Sequence, residues 1–518
     1  MTDWSLPPER PFRVIENDWI PMRDGTRLAV RLWLPEGSGP VPAVLEYIPY
    51  RKRDHYRQRD DAWGRLLARH GFAFARADVR GSGESEGVLL AEYTEQEQRD
   101  ALDIIAWLAA REWCNGAVGM RGISWGGFNS FQVAAHAPPA LKAIMPMCFS
   151  DRRFTDDAHY LGGALTHPNY GWGLMFKTVM AGPPDPAIVG ERWKSMWLDR
   201  LHATPAILAT WTAHQRADAY WQVGSVAPGY DRIRCAVYAV CGLADYFVNV
   251  AARVMGTLSV PRKCLIGPWA HDYPYSANPG PGLDWAHEEI RWWDEWLNGT
   301  DTGIMHEPMF RAYMADRTPA ETYPQDVPGR WVAEAEWPSH RIGRQVLFMN
   351  HRGLSPQIEE PAELTCAGDR VVGTLQREVH EFYMPEDLPC DQTEDDRRSL
   401  TFDSPPLEAD LEIMGNAVAT IRVAADVPVA KLAVRLCEVT TEGKSWLVSY
   451  GILNLTHRDG HEHPVALEPG VPVTATIALL FTAHRFHTGS RIRVALSESL
   501  WPLAWPSPRV ATLRITTG

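Results

Sequence analysis

What this sequence lacks narrows its function before any motif is read. Its eight cysteines (Cys114, Cys148, Cys235, Cys241, Cys264, Cys366, Cys390 and Cys437) stand singly, with no Cys-x-x-Cys pair. Buried, reduced thiols in a cytoplasmic protein are therefore expected rather than a disulfide framework. Basic residues are in deficit, with 51 Lys and Arg against 64 Asp and Glu and a net charge of −13. A nucleic-acid or anionic-membrane partner needs clustered cations, so neither is expected. The stretch from Met1 to Pro8 has neither the basic nor the apolar region of a signal peptide, and no apolar run reaches transmembrane length. There is no His-Glu-x-x-His helix and no Walker lysine. The glycine-rich loop 80–87 misses the Gly-x-Gly-x-x-Gly spacing, and its Glu84 and Glu86 would repel a pyrophosphate. No metal and no cofactor is expected. Internal repeats and low-complexity tracts are absent as well.

What is present is a chain of 518 residues, too long for one core. Asp24-Gly25 reads as a hairpin turn, followed by an alternating strand from Arg27 to Pro35 and apolar strands at 41–47 and 72–79. Thr94-Glu95-Gln96-Glu97 is a capping box opening a helix with Ala101, Ile104, Ile105 and Leu108 on its apolar stripe. Strands at 117–123 and 141–147 follow. Strands alternating with helices at this spacing predict a mostly parallel sheet covered on both faces. From 150 to 225 strand runs vanish, and tryptophans and prolines break up short helical pieces, which predicts a helical insertion capping the strand ends. The sheet pattern resumes at 235–242 and 263–267, and a helix running to Trp296 ends at Asn298-Gly299. After about Pro338 period-two strands separated by turns predict a β-sandwich. The expected division is therefore 1–149 and 226–337 for the α/β domain, 150–225 for the cap and 338–518 for the β domain.

One stretch carries the chemistry. The strand ending at Ile123 meets Gly122-Ile123-Ser124-Trp125-Gly126, and a helix-compatible run follows at once. Alone, this five-residue pattern marks a glycine-rich turn with an inert serine; between strand and helix it reads as a nucleophile elbow. The Trp125 amide then starts a helix, where the dipole favours developing negative charge. Serine needs a base, and the base an orienting carboxylate, each at the carboxyl end of a later strand. Asp245 follows the strand ending at Gly242, and His271 follows the strand ending at Gly267. Asp231 precedes its strand, and Asp272 adjoins the histidine too closely to orient its ring. The run His457-Arg458-Asp459-Gly460-His461-Glu462-His463 reads as a polar turn rather than a metal site.

These residues carry a resemblance. Met22-Arg23-Asp24-Gly25, Asp78-Val79-Arg80-Gly81-Ser82-Gly83, Gly119 to Gly127, Gly267-Pro268-Trp269-x-His271, Trp293-Asp294-Glu295-Trp296-Leu297-x-Gly299, Phe402-x-Ser404-x-Pro406-Leu407 and Gly489-x-Arg491-Ile492-Arg493 resemble the CocE/NonD hydrolases along essentially the whole chain. That family includes cocaine esterase-like enzymes, α-amino acid ester hydrolases and glutaryl acylases, and it shares its carboxyl-terminal domain with X-Pro dipeptidyl-peptidases. The resemblance implies an α/β-hydrolase fold with a helical cap and a carboxyl-terminal jelly roll. It also implies catalysis by Ser124, His271 and Asp245, and a Tyr50 phenol that joins the Trp125 amide as oxyanion donor. The family's α-amino acid ester hydrolases carry carboxylates two and three positions after the catalytic aspartate. Here those positions are Phe247 and Val248. The departure points to an apolar or aromatic acyl group, with Phe247 and Trp172 as pocket residues. Asp156, Asp157 and Asp218 of the cap read as solvated carboxylates, with ammonium binding as the alternative. The expected substrate is a small ester, amide or short peptide. X-Pro dipeptide release, α-amino acid ester hydrolysis or acylase activity, and a non-catalytic sugar-binding jelly roll stay open, as does oligomeric state, a homo-oligomer included.

Overall fold

The computed structural model describes residues 4–37, 39–317, 325–374 and 391–518; Met1 to Asp3 and Cys390 lie outside the described residues. The chain opens with an antiparallel pair, β1 (Phe12–Pro21) and β2 (Arg27–Pro35), joined by the Asp24-Gly25 turn. The alternating part follows: β3 (Val41–Ile48), α1 (Arg57–Arg69), β4 (Ala73–Asp78), α2 (Glu95–Ala109), β5 (Cys114–Ile123), α3 (Trp125–Ala134) and β6 (Leu141–Met147). The segment between β6 and the next long strand is built largely of helices, among them α4 (Pro168–Met175). It also contains a small hairpin, Tyr160–Leu161 against Ala164–Leu165, that the sequence did not signal. Strands β7 (Ala236–Gly242), β8 (Arg262–Gly267) and β9 (Phe310–Ala315) complete the parallel run.

The sheet order is β1-β2-β4-β3-β5-β6-β7-β8-β9. Every neighbouring pair from β4 to β9 is parallel, so the carboxyl ends of β5, β7 and β8 emerge along one edge. The strands are buried on both faces, as parallel strands under two helical layers must be. Past β9 the same sheet continues through Thr482–Phe486 and Leu411–Gly415, so strands late in the chain extend the sheet begun at the amino end. Among the described residues, the rest of the carboxyl-terminal region forms a short hairpin, Phe348–Asn350 against Gly353–Ser355, and two antiparallel four-stranded sheets. Ile421 and Val423 from one and Val434 and Leu436 from the other share a single apolar core, the signature of a sandwich.

The turn between β5 and α3 is sharp. Ser124 has φ +56°, and Gly122 and Gly127 make the turn feasible. A Cβ on Gly122 would lie 2.7 Å from the Gly126 Cα, and one on Gly127 would lie 2.4 Å from the Met147 carbonyl oxygen. The α2 cap differs from the sequence expectation. Thr94 Oγ1 accepts from the Glu97 amide at 3.1 Å, but the Glu97 side chain does not return to Thr94. It accepts instead from the Tyr93 amide at 2.9 Å, from Asn129 Nδ2 at 2.9 Å and from the Trp125 indole, so α2 anchors the first residues of α3.

Burial pushes the Glu97 carboxyl up to about 7, against the pull of these three donors. An acid whose folded-state pKa is raised contributes a penalty absent below the unfolded value and complete above the folded one. Stability from this group therefore falls as pH climbs from about 4.5 to about 7. Glu97→Gln lacks that titration, so its stability relative to wild type is expected to improve by up to about 3 kcal/mol between pH 5 and pH 8. Urea unfolding at both pH values measures this; a difference between the two proteins that stays constant with pH contradicts it.

Candidate active site

Ser124, Asp245 and His271 each sit just beyond the carboxyl end of a strand of the parallel sheet. Ser124 follows β5 directly, and its amide donates to the Met147 carbonyl at 3.0 Å. Asp245 lies three residues beyond β7 and is 1% exposed. His271 lies four residues beyond β8. The two loops are laced together: the Leu243 amide donates to the Gly267 carbonyl at 2.8 Å and the Ala244 amide to the Trp269 carbonyl at 3.2 Å. A Cβ on Gly242 would fall 1.9 Å from the Trp269 carbonyl oxygen, so this close approach requires glycine. The result is a 2.8 Å hydrogen bond between His271 Nδ1 and Asp245 Oδ2. Asp245 Oδ1 accepts from the Phe247 amide at 3.1 Å, which fixes the carboxylate from its other side.

Ser124 and His271 line one cavity of about 430 Å³. Its wall is strongly aromatic, with Tyr50, Tyr56, Trp172, Tyr273 and Tyr275, and Ile123 and Met175 add apolar surface. Tyr50 stands between the nucleophile turn and the cap, its ring 6.3 Å from that of Trp125 and 6.2 Å from that of Trp172. Trp125 is fully buried and heads α3. Phe247 is not among the lining residues: it is 4% exposed and its ring lies 5.7 Å from that of His271.

Two charged residues reach the cavity. Arg59 is balanced by Glu46 at 2.9 Å and Asp60 at 2.6 Å, and it donates to the Tyr273 hydroxyl at 3.0 Å. Asp272 accepts from Ser276 Oγ at 2.6 Å and from the Tyr273 amide at 2.7 Å; burial raises its pKa. The cap carboxylates do not line the cavity. Contrary to the sequence reading, Asp156 and Asp157 are buried rather than solvated. Asp156 pairs with Arg253 at 2.8 Å, and burial lifts Asp157 to about 7. Asp218 caps a helix turn and pairs with His214 at 2.8 Å.

Sequence reasoning missed Tyr56, Arg59, Met175, Tyr273 and Tyr275, which come from a loop, two helices and the segment after His271. The one available signal was the closeness of Tyr273 and Tyr275 to His271 in the chain. It also missed Glu92, which is 2% exposed and accepts from the Trp172 indole at 3.0 Å and from Arg153 at 2.5 Å. Burial pushes Glu92 up, but His159 and Arg153 outweigh it and hold the carboxyl at about 2. In the histidine-rich turn, His457 Nδ1 and His461 Nδ1 lie 3.2 Å apart, burial lowers His457 to about 4, and His463 is exposed. No helix among the described residues is long and apolar enough to cross a membrane.

An imidazole held by a buried carboxylate, opening on the same cavity as a serine at a strand-to-helix turn, is the equipment of acyl transfer. Comparisons with known proteins agree with that equipment. Residues 24–273 match the X-Pro dipeptidyl-peptidase (S15 family) model, and residues 302–518 match the X-Pro dipeptidyl-peptidase C-terminal non-catalytic domain. The chain is 24% identical to cocaine esterase from Rhodococcus sp. (strain MB1 Bresler), over 95% of this chain and 92% of that one. Among solved structures, a CocE/NonD family hydrolase from Staphylococcus aureus aligns with a TM-score of 0.77 at 16% identity, covering 98% of this chain and 92% of that chain. An α-amino acid ester hydrolase aligns with a TM-score of 0.75 at 23% identity, covering 98% and 94% respectively. The two domain matches in succession, together with the full-length relative, place the chain in the CocE/NonD family of serine hydrolases.

Proposed function

We propose that this enzyme hydrolyses carboxylic esters of apolar or aromatic acids through an acyl-enzyme on Ser124. In this reading Ser124 Oγ attacks the acyl carbonyl while His271 Nε2 takes its proton, and Asp245 at Nδ1 steadies the imidazolium that forms. The negative charge that develops on the carbonyl oxygen is met by the Trp125 amide at the head of α3 and by the Tyr50 phenol. The alcohol leaves with the proton from His271. Water then attacks the acyl group, the same imidazole accepts its proton, and the acid is released as Ser124 regains its own.

The observation that carries the acyl preference is the cavity wall. Five aromatic side chains line the cavity with Ser124, the cap carboxylates Asp156 and Asp218 are engaged away from it with Arg253 and His214, and Phe247 packs against His271. Aromatic walls favour flat apolar groups by burial and by edge and offset ring contacts. A second reading, release of X-Pro dipeptides, is favoured by the S15 match and by Asp272, whose carboxylate reaches the cavity and offers a partner for an amino terminus.

Two measurements test these roles. The kcat/KM for p-nitrophenyl benzoate is expected to exceed that for Gly-Pro-p-nitroanilide; the opposite order overturns the ester reading in favour of the peptidase one. Tyr50→Phe is expected to lower kcat by roughly 10²–10³-fold, the usual loss for one oxyanion donor, and an unchanged kcat removes the phenol from that role.

A further inference from the structure

Two buried thiols that hydrolysis does not use, Cys148 and Cys241, lie beside Asp245. Met147 of β6 pairs with Val240 of β7, and the Cys148 amide donates to the Val240 carbonyl at 2.9 Å. This register sets Cys148, the residue after β6, beside Cys241 of β7, and Asp245 follows four residues further on. The Cys148 backbone takes a left-handed conformation, with φ +46°. One ligand atom from each of Cys148, Cys241 and Asp245 lies within 4.8 Å of the other two. All three residues are buried, at 0%, 1% and 1% exposure. Among the described residues no other set of three His, Cys, Asp or Glu side chains has its ligand atoms gathered in this way.

Two sulfurs and a carboxylate are the donors that Zn²⁺ and Cd²⁺ accept, whereas the thiols disfavour Mg²⁺ and Ca²⁺. With metal–sulfur bonds of about 2.3 Å and metal–oxygen bonds of about 2.1 Å, the ligands of a tetrahedral zinc ion stand roughly 3.5–3.8 Å apart. Closing from the observed separation takes side-chain adjustments of about an ångström. We propose that Cys148, Cys241 and Asp245 form a binding site for a soft divalent cation, and that occupancy inhibits hydrolysis by drawing the Asp245 carboxylate away from His271.

The uptake balances without redox change. The two thiols release two protons to solvent, two sulfur–metal bonds and one oxygen–metal bond form, and the resulting centre carries one net negative charge. Each thiol must lose its proton to bind, so affinity is expected to strengthen as pH rises. Because no ligand atom is exposed, entry needs local opening, and inhibition is expected to develop slowly. The inhibitory half of the proposal rests on the role proposed for Asp245; the binding half does not.

The test uses the full chain carrying Cys390→Ser, so that the thiol outside the described residues does not compete. Cd²⁺ is titrated while thiolate-to-cadmium charge-transfer absorption, bound stoichiometry and ester hydrolysis are followed in parallel. The expected result is one Cd²⁺ per chain, thiolate absorption, and a slow loss of turnover that a chelator reverses. Cys148→Ser and Cys241→Ser are each expected to weaken Cd²⁺ binding by about 100-fold or more, since even outer-shell changes weaken metal sites 10–100-fold. Each variant is compared with its own metal-free rate, and alanine replacements repeat the measurement with different packing. Absence of thiolate absorption in the parent, or its persistence when both cysteines are replaced, overturns the site. Stoichiometric absorption with full turnover overturns the inhibition. Asp245→Asn assayed without metal reports separately on the role of Asp245 in hydrolysis, so failure there is not confused with failure of the site.

Discussion

The hydrogen bond between His271 and Asp245 depends on a register, and that register is set far from either side chain. Strands β7 and β8 run parallel, with Gly242 opposite Gly267, so the two loops leaving them start side by side. Backbone bonds from Leu243 to Gly267 and from Ala244 to Trp269 then stitch the loops before either functional side chain is reached. A slip of one residue in either strand would turn its side chains to the other face and move the imidazole or the carboxylate out of reach. Burial on both faces of these strands penalises such a slip. The packing of the whole sheet thus holds a 2.8 Å contact at its edge.

The cap depends on the same sheet through buried charge. Glu92, from the loop before α2, grips the indole of Trp172 on α4 and the guanidinium of Arg153, and so fixes one wall of the cavity to the core. On the other side Arg200 donates to the carbonyls of Gly83 at 2.9 Å and Ser85 at 2.7 Å. The glycine-rich loop that superficially suggested a nucleotide is therefore a seat for the cap. Removing one partner from the buried Glu92–Arg153 pair would leave an uncompensated charge, a strongly destabilising change.

Local pattern reveals those parts of the molecule that obey local rules. The elbow at Ser124 was legible because a turn this tight needs glycine at fixed offsets. Asp245 and His271 were legible because strand order in a parallel sheet restricts where their side chains can emerge. The cavity wall was not legible in this way. Tyr56, Tyr273 and Tyr275 sit on segments whose course is set by tertiary packing, and apart from the closeness of Tyr273 and Tyr275 to His271 nothing in their spacing distinguishes them from core aromatics. Asp156 and Asp157 were misread as solvated, and the partner of Asp156, Arg253, lies far along the chain. The extension of the sheet into Thr482–Phe486 and Leu411–Gly415 was hidden for the same reason, since a pairing between His484 and Ala315 leaves no trace in either local sequence.

A covalent acyl group on Ser124 is the intermediate on which the proposed hydrolysis turns. Quench-flow mass spectrometry during turnover of p-nitrophenyl benzoate examines this directly. The expected result is a benzoyl adduct on the peptide containing Ser124 that rises with the first release of p-nitrophenol and falls as substrate is exhausted. Steady turnover with no acylated Ser124 at any time, and the same rate from Ser124→Ala, would contradict it.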